Sequence, residues 1–497
     1  MPPVPSSSPS HILDNDANDV ADINDVIDIN NDLDQLADTL SETLFDSFDA
    51  GYYIGMMSGT SLDGLDAVIC QFDGINAIAK MEDADDNNAN LATSRLDKPK
   101  PISNKLASNT ILATHSKDFP TTLRQVLLAL CQPNGVDELA DVEWSVDEKE
   151  QPQSELDWFG WASREYAEFA SEVVKELLDK AQIDAESILA IGCHGQTVRH
   201  RPQWGFSLQL VDANIIAERT GISVVTDFRR RDMAVGGQGA PLVPAFHQAC
   251  FGNAPNTRIL LNLGGIANLT YLPAANATQP VIGYDTGPAN LLLDAWAFEH
   301  TGKVFDAGGD WARSGRVVAA LLNQLMTHDF FTLPAPKSTG REDFNLLWLQ
   351  EQIAKFEWQY PDIRYSVADV QATLTELTAL SASQQIVSCL TQANKHSETL
   401  LAKDDSLSNQ MADKIEVFVC GGGSLNNYLM QRLDHHLTTG LPNCQVASTS
   451  TLGMAPTWVE SVAFAWLARQ TIMGESGNLP AVTGASKPVV LGQVCFG

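Results

Sequence analysis

Gly55-Met-Met-Ser-Gly-Thr-Ser-Leu-Asp-Gly-Leu-Asp66 is the stretch whose reading decides the fold. It lies between two β-rich runs, Tyr53-Ile-Gly55 and Ala67-Val-Ile-Cys70, which makes it a hairpin tip rather than a strand-to-helix turn. Gly55, Gly59 and Gly64 are expected to let the backbone bend sharply, so that amides and the hydroxyls of Ser58, Thr60 and Ser61 converge on an anion. The expected phosphate cradle is Gly59, Thr60, Ser61, Leu62, Asp63, Gly64, Leu65 and Asp66. Asp63 and Asp66 would repel a bare phosphate, yet one of them suits Mg²⁺ held through its waters, and Asp63 is the metal candidate. The plain alternative is a tight hairpin with solvated aspartates.

Working outward, two further glycine turns share this character. Leu261-Asn-Leu-Gly-Gly-Ile-Ala-Asn268 again sits between β-rich runs, with Gly264, Gly265 and Asn268 at its tip. Val419-Cys-Gly-Gly-Gly-Ser-Leu-Asn426 ends a strand in Gly421, Gly422 and Gly423, whose bare backbone would admit a base or ribose. Short β runs alternate with helical patterns such as Trp161 to Ala181, which defines a mixed α/β chain. Two lobes are expected: 51–235, joined by a returning segment at about 465–497, and 236–464, with the ligand in the cleft between them. A phosphate hairpin in each lobe and a glycine turn for the nucleoside resemble the two-lobed actin-like ATPase (ribonuclease H-like) fold of actin, heat-shock ATPases and sugar kinases. The signatures GxxxxGK[ST], HRD with DFG, GxSxG and HExxH are all absent from the sequence.

Composition sets outer limits. The 497 residues are 44% hydrophobic, enough for two cores, and 62 acidic against 31 basic residues give a formal charge of -31. Such a field repels nucleic acid and anionic membranes. The eight cysteines form no CxxC pair and no metal-ligand spacing, so they read as reduced thiols. No basic leader and no long apolar run opens the chain, so a cytoplasmic protein is expected. Residues 1–50 carry Asp/Asn repeats that bury little, so an acidic, disordered extension is expected there. Polar stretches at 83–105, 142–155 and 395–414 read as surface insertions.

From Tyr52 onward the sequence resembles the anhydro-N-acetylmuramic acid kinase family. The resemblance rests on Gly55 to Asp66, Gly192-Cys-His-Gly-Gln-Thr-Val-Arg-His200, Thr226-Asp-Phe-Arg-Arg-Arg-Asp232, Gly236 to His247, Asp285-Thr-Gly-Pro-Ala-Asn290, Pro336-Lys-Ser-Thr-Gly-Arg341 and Val419 to Asn426. It implies an enzyme of cell-wall recycling, usually a homodimer, that uses ATP and water to open the 1,6-anhydro ring and phosphorylate the released O6. That chemistry needs a base for the attacking water.

Asp285 suits the base, since it follows the run Val281-Ile-Gly-Tyr and precedes the helical run Asn290 to Phe298; a helix cap is its plainer reading, and the resemblance is what assigns the base to this position. The resemblance adds Glu460 as an assistant at the sugar. Arg231 is the catalytic and substrate-binding candidate, supplying local positive charge for the substrate's lactyl carboxylate or the phosphoryl group, with Arg229 and Arg230 read as partners of nearby carboxylates. His194, Gln196 and Arg199 are candidates for the amino-sugar pocket, against a packed loop. Asp227 and Asp232 are rival bases, weakened by their arginine neighbours. Lys337 and Arg341 read as phosphate contacts or solvated loop charges. Another sugar kinase of the same fold, or a non-catalytic ATP-gated sugar sensor, stays open on the sequence.

Overall fold

The computed structural model describes residues 51–59, 62–72, 111–132, 134–141, 152–252, 254–275, 277, 279–401 and 414–497. The acidic extension, most of the three expected insertions, and Thr60 and Ser61 of the first hairpin lie outside the described residues.

Two sheets carry the fold. The first is built from β1 (Tyr52–Met57), β2 (Gly64–Gln71), β3 (Ile111–Asp118), β4 (Ile188–Cys193) and, after the small hairpin β5 (Gln196–Arg201) and β6 (Phe206–Leu210), β7 (Val224–Thr226). The second uses β8 (Thr257–Leu263), β9 (Ile266–Leu272), β10 (Ile282–Pro288), β11 (Ile415–Cys420) and β12 (Cys444–Ser448), and the short β13 (Gln493–Cys495) returns to pair with β7. Strand order is β13-β7-β4-β1-β2-β3 in one sheet and β10-β9-β8-β11-β12 in the other. Each is an antiparallel meander of three strands whose first member pairs in parallel with a fourth, followed by a fifth. The same topology therefore occurs twice, and the hairpins β1–β2 and β8–β9 are equivalent positions in it.

Side-chain alternation divides each sheet into two faces. Ile54, Met56, Leu65, Ala67, Ile69 and Ile191 join an outer core with the helix Glu155–Ala181, which starts at a reciprocal Ser154/Asp157 cap. Ile259, Leu261, Leu263, Leu269, Tyr271, Val417 and Val419 join a second outer core with the helices Asn290–Thr301, Val367–Leu401 and Asn427–Gly440. Their neighbours one residue away, Tyr53, Val68, Ala190, Leu260, Leu272 and Phe418, turn inward to a third core. That middle layer contains the helices Val243–Phe251 and Val459–Ile472, so the order is helix, sheet, helix, sheet, helix.

Val459–Ile472 lies flush on β1 and β4 because two glycines remove the side chains that would hold it off. A Cβ on Gly55 would sit 1.9 Å from the Ser461 carbonyl oxygen, and one on Gly192 would sit 2.0 Å from that of Phe464. Gly55 therefore does not bend the hairpin; it is a strand residue paired with Val68, reserved for close helix contact. The left-handed residue of the hairpin is Leu62 (φ 57°), itself fully buried.

Candidate functional site

The polar residues gather where the inward faces of the two sheets end. Asp285 on β10 pairs with Asn268 on β9, Asn268 with Asn262 on β8, and Asn262 with Cys420 on β11. One rung thus aims Asp285, Asn268 and Asn262 to the same side. From the first sheet, Asp66 and His194 continue the inward-facing series of Val68 and Ala190. Glu460 arrives on the first turn of the flush helix, where the Asn262 amide donates to its Oε1 at 3.2 Å. Asp285 does not end its strand as expected: β10 runs on through Pro288, with an irregular register between Asp285 and Gly287.

Asp285 is partly buried and stitched in place. Its amide donates to the Lys337 carbonyl at 3.0 Å, and the Thr339 amide donates to Oδ2 at 2.9 Å. Burial pushes its carboxyl up to about 7; Thr339, Arg229 and Lys337 pull the other way, and Glu342 adds to the rise. Burial likewise raises Glu460, opposed by Arg229 and reinforced by Asp66. A carboxyl poised near neutrality at a cleft is what a general base requires.

Arg229 is the cation at this centre, and Arg231 is not. On the short helix Phe228–Ala234 the two point to opposite sides: Arg231 is exposed, whereas Arg229 is partly buried with Glu460, Asp285 and Asp232 as its charged neighbours. Burial lowers the Arg229 guanidinium to about 10 and these acids raise it, so it stays charged. It donates from Nη2 to His194 Nε2 at 2.9 Å and from Nη1 to the Gly239 carbonyl at 2.8 Å. Arg230 pairs with Asp227 at the surface, 2.5 Å apart. Asp232 is fully buried and accepts from Asn478, Thr483 and Gly239, which makes it a structural anchor rather than a base.

The proposed sugar ligands divide. His194 packs against Phe464 and faces Arg229. Gln196 is buried, with its Oε1 unpartnered. Arg199 is committed elsewhere: it donates to the carbonyls of Leu130, Val198 and Gln132 and to Glu155, clamping β5 to neighbouring segments. Lys337 is buried as well, donating to the Phe330 carbonyl at 3.0 Å over the Phe330 ring.

In the first hairpin, Ser58 is buried, with its hydroxyl turned to Tyr166 and the Gly195 carbonyl. Asp63 stays partly open, 3.2 Å from Arg124. Gly64 lies against β3 and Leu65 is fully buried. Near Asp63, Asp294 on the helix Asn290–Thr301 is held up at about 7 by burial, then by Asp63 and Asp306. Arg341 reaches the same region, lowered by burial while Cys131 and Asp63 raise it. Among the described residues no group of three or more His, Cys, Asp or Glu is placed to hold a metal.

In the second hairpin, the Gly264 and Gly265 carbonyls accept from the amides of Ala289, Asn290 and Leu291, docking the next helix onto the turn. The triple glycine also splits. Gly421 (φ 78°) abuts Asn262, and Gly423 abuts Leu263, so both serve packing; Gly422 alone is exposed. Beside it Asn427, Met430, Gln431 and Asp434 of the helix Asn427–Gly440 line an open cavity of about 620 Å³ with Asp310, Arg313 and Val446.

Two sheets of one topology, facing each other across a helical layer, each with a glycine hairpin, and the second with the polar rung of Asp285, Asn268 and Asn262, define the two-lobed actin-like ATPase fold. The anhydro-N-acetylmuramic acid kinase family model matches residues 101–403 and 391–497. An anhydro-N-acetylmuramic acid kinase of Psychrobacter cryohalolentis is 59% identical over 474 residues, 93% of this chain and 98% of its own length. One of Shewanella pealeana is 42% identical over 444 residues, 89% of this chain and 98% of its own. A glucokinase of Streptomyces griseus, solved with glucose and AMPPNP, aligns over 84% of this chain and all of its own at 12% identity and a TM-score of 0.32. The chain belongs to the anhydro-N-acetylmuramic acid kinase family, and it is a kinase. No helix among the described residues is long and apolar enough to cross a membrane.

Proposed function

We propose that this kinase opens the 1,6-anhydro ring of 1,6-anhydro-N-acetylmuramic acid with water and transfers the ATP γ-phosphoryl group to O6, giving N-acetylmuramic acid 6-phosphate and ADP. The observation that carries the mechanism is Asp285, a carboxyl pushed to about 7 at the cleft beside a charged arginine. As the carboxylate it takes a proton from the water whose oxygen attacks the anomeric carbon. The bond from that carbon to O6 breaks, and O6 attacks the γ-phosphorus as ADP leaves. Arg229 offers positive charge to the oxygens that gain negative charge, with no water needed to screen it. Glu460, fixed by Asn262 and also under the influence of Arg229, orients the sugar.

The lobes are 51–235 with a returning segment that starts at the flush helix Val459–Ile472, a few residues before the expected 465, and 236–458, and the two hairpins grip the phosphates when the lobes close. Gly422 leaves backbone open for the nucleoside. Mg²⁺ fits the first hairpin: Asp63 is partly exposed, and Asp294 is a carboxyl that a cation would relieve. These two would hold the ion with phosphate oxygens and water, and the ion would neutralise phosphate charge. The enzyme works in the cytoplasm as a homodimer, supplying a step of cell-wall recycling.

The test is incubation with ATP and the anhydro-sugar in ¹⁸O-water. Label should enter the anomeric hydroxyl and not the phosphate. Label in free phosphate alone, or turnover of glucose in place of the anhydro-sugar, would sink the assignment.

A further inference from the structure

The arrangement around Arg229 contains a histidine whose role the reaction above does not use. His194 is 4% exposed at the end of β4, with its ring 4.7 Å from that of Phe464. Its Nδ1 lies 2.7 Å from the Gly195 carbonyl, an atom that only accepts, so Nδ1 carries the proton. Nε2 is then a bare lone pair, and it receives two donors from Arg229: Nη2 at 2.9 Å and Nε at 3.3 Å. On the far side Arg229 Nη1 donates to the Gly239 carbonyl at 2.8 Å, and the Gly239 amide donates to buried Asp232 at 2.8 Å. Three of the five guanidinium N–H groups are thereby fixed, and two have no partner among the described residues.

We propose that His194 is a positioning residue: an uncharged acceptor, locked in one tautomer, that aims Arg229 at Asp285 and Glu460 without consuming its charge. This inference rests on the reading of Asp285 as the base. The usual buried partner of an arginine is a carboxylate, which would orient the guanidinium equally well but cancel its field. A neutral imidazole leaves the full positive charge to act on the two acids and on the phosphoryl oxygens. Protonation of His194 would set an N–H against the guanidinium; burial and Arg229 together hold the ring down to about 3, so it stays neutral throughout the working range. The facing groups are Glu460 on the flush helix, Asp285 on β10, Asp232 on Arg229's own helix and His200 on β5; Asp285 is also faced by Lys337 and Glu342.

The experiment is the pH profile of kcat/KM for His194→Ala, His194→Glu, His194→Gln, Arg229→Ala and the Ala/Ala double variant. Because the Arg229 charge favours the Asp285 carboxylate, releasing or cancelling it moves the acid limb to higher pH, by about one unit. His194→Ala, His194→Glu and Arg229→Ala should show that shift, the double variant no more than either single, and His194→Gln, a neutral acceptor, should return the limb to its wild-type position. A His194→Ala enzyme slower at every pH with an unmoved limb would overturn the proposal, as would additive shifts in the double variant. The nitrogen NMR of histidine-labelled wild-type protein separates the two readings. His194 should keep the Nδ1–H tautomer from about pH 5 to 9, and an imidazolium signal there overturns its role whatever Asp285 proves to be.

Discussion

Replacing Gly55 by alanine would test the flush helix and its link to chemistry together. The new Cβ would lie 1.9 Å from the Ser461 carbonyl oxygen and 2.6 Å from the Ala465 amide nitrogen. Both are backbone atoms of one helix, so no side chain can swing aside, and the helix must retreat by roughly 1.5 Å to regain ordinary contact. Overpacking of this kind costs about 1–3 kcal/mol, which in a chain of this size should lower Tm by about 1–3 °C. Glu460 precedes Ser461 on the same turn and moves with it, off β1 and toward the second sheet, which disturbs its hydrogen bond from Asn262 and its spacing from Arg229. A displacement of about 1 Å at a reacting centre can cost roughly 100-fold in rate, so kcat should fall by about that factor.

Thermal unfolding and a coupled ADP-release assay read the two effects. Gly160→Ala is the control: that glycine sits inside the helix Glu155–Ala181 with open space around its Cβ position. It should gain about 0.5–1 kcal/mol and keep full activity. A Gly55→Ala enzyme with unchanged Tm and turnover would refute the flush contact and its coupling to Glu460.

Other consequences can be checked alongside. Asp285→Asn should abolish turnover yet stabilise the protein: a buried carboxyl raised from 3.8 to about 7 costs folding stability progressively as pH rises through that window. The Tm advantage of Asn should therefore grow from about pH 4 to 7 and level off above; an advantage confined to acid pH would contradict the burial argument. Arg231→Ala should keep kcat/KM within about twofold while Arg229→Ala loses about 100-fold or more, and equal losses would return Arg231 to the site. Arg199→Ala should cost about 1–3 kcal/mol of stability with an unchanged KM for the sugar; a raised KM at unchanged Tm would make it a sugar ligand after all.

The alternation of β runs and the glycine turns were legible because they are local patterns: hairpin tips announce themselves by glycine, and strand faces by period two; the family resemblance is what singles out Asp285 as the base, since its local pattern fits a helix cap as well. What stayed hidden depends on distant partners. Gly55 looked like a turn residue because its reason, a helix some four hundred positions later, leaves no mark nearby. The run Arg229-Arg-Arg231 states that positive charge is present; helical geometry puts its first and third members about 200° apart, yet only the location of Asp285 tells which one turns inward. The helix Val367–Leu401 leaves no amphipathic signal because it is buried on every side over residues 369–379, where Gln371, Thr373 and Thr375 alternate with apolar residues and read as polar surface. Asn262 sat inside a quoted motif but was passed over for the glycines beside it, although an amide one residue from a hairpin's end was the available signal.

The flush helix and β13 belong to the first sheet but are encoded after the second is complete. On a ribosome, the early half of this molecule must therefore wait with the greasy faces of Tyr53, Val68 and Ala190 uncovered until the last segment has been made. That wait invites chaperones, but it is also a safeguard. Glu460 and the cover over β1 arrive together, so a nascent or truncated chain has no assembled centre with which to squander ATP.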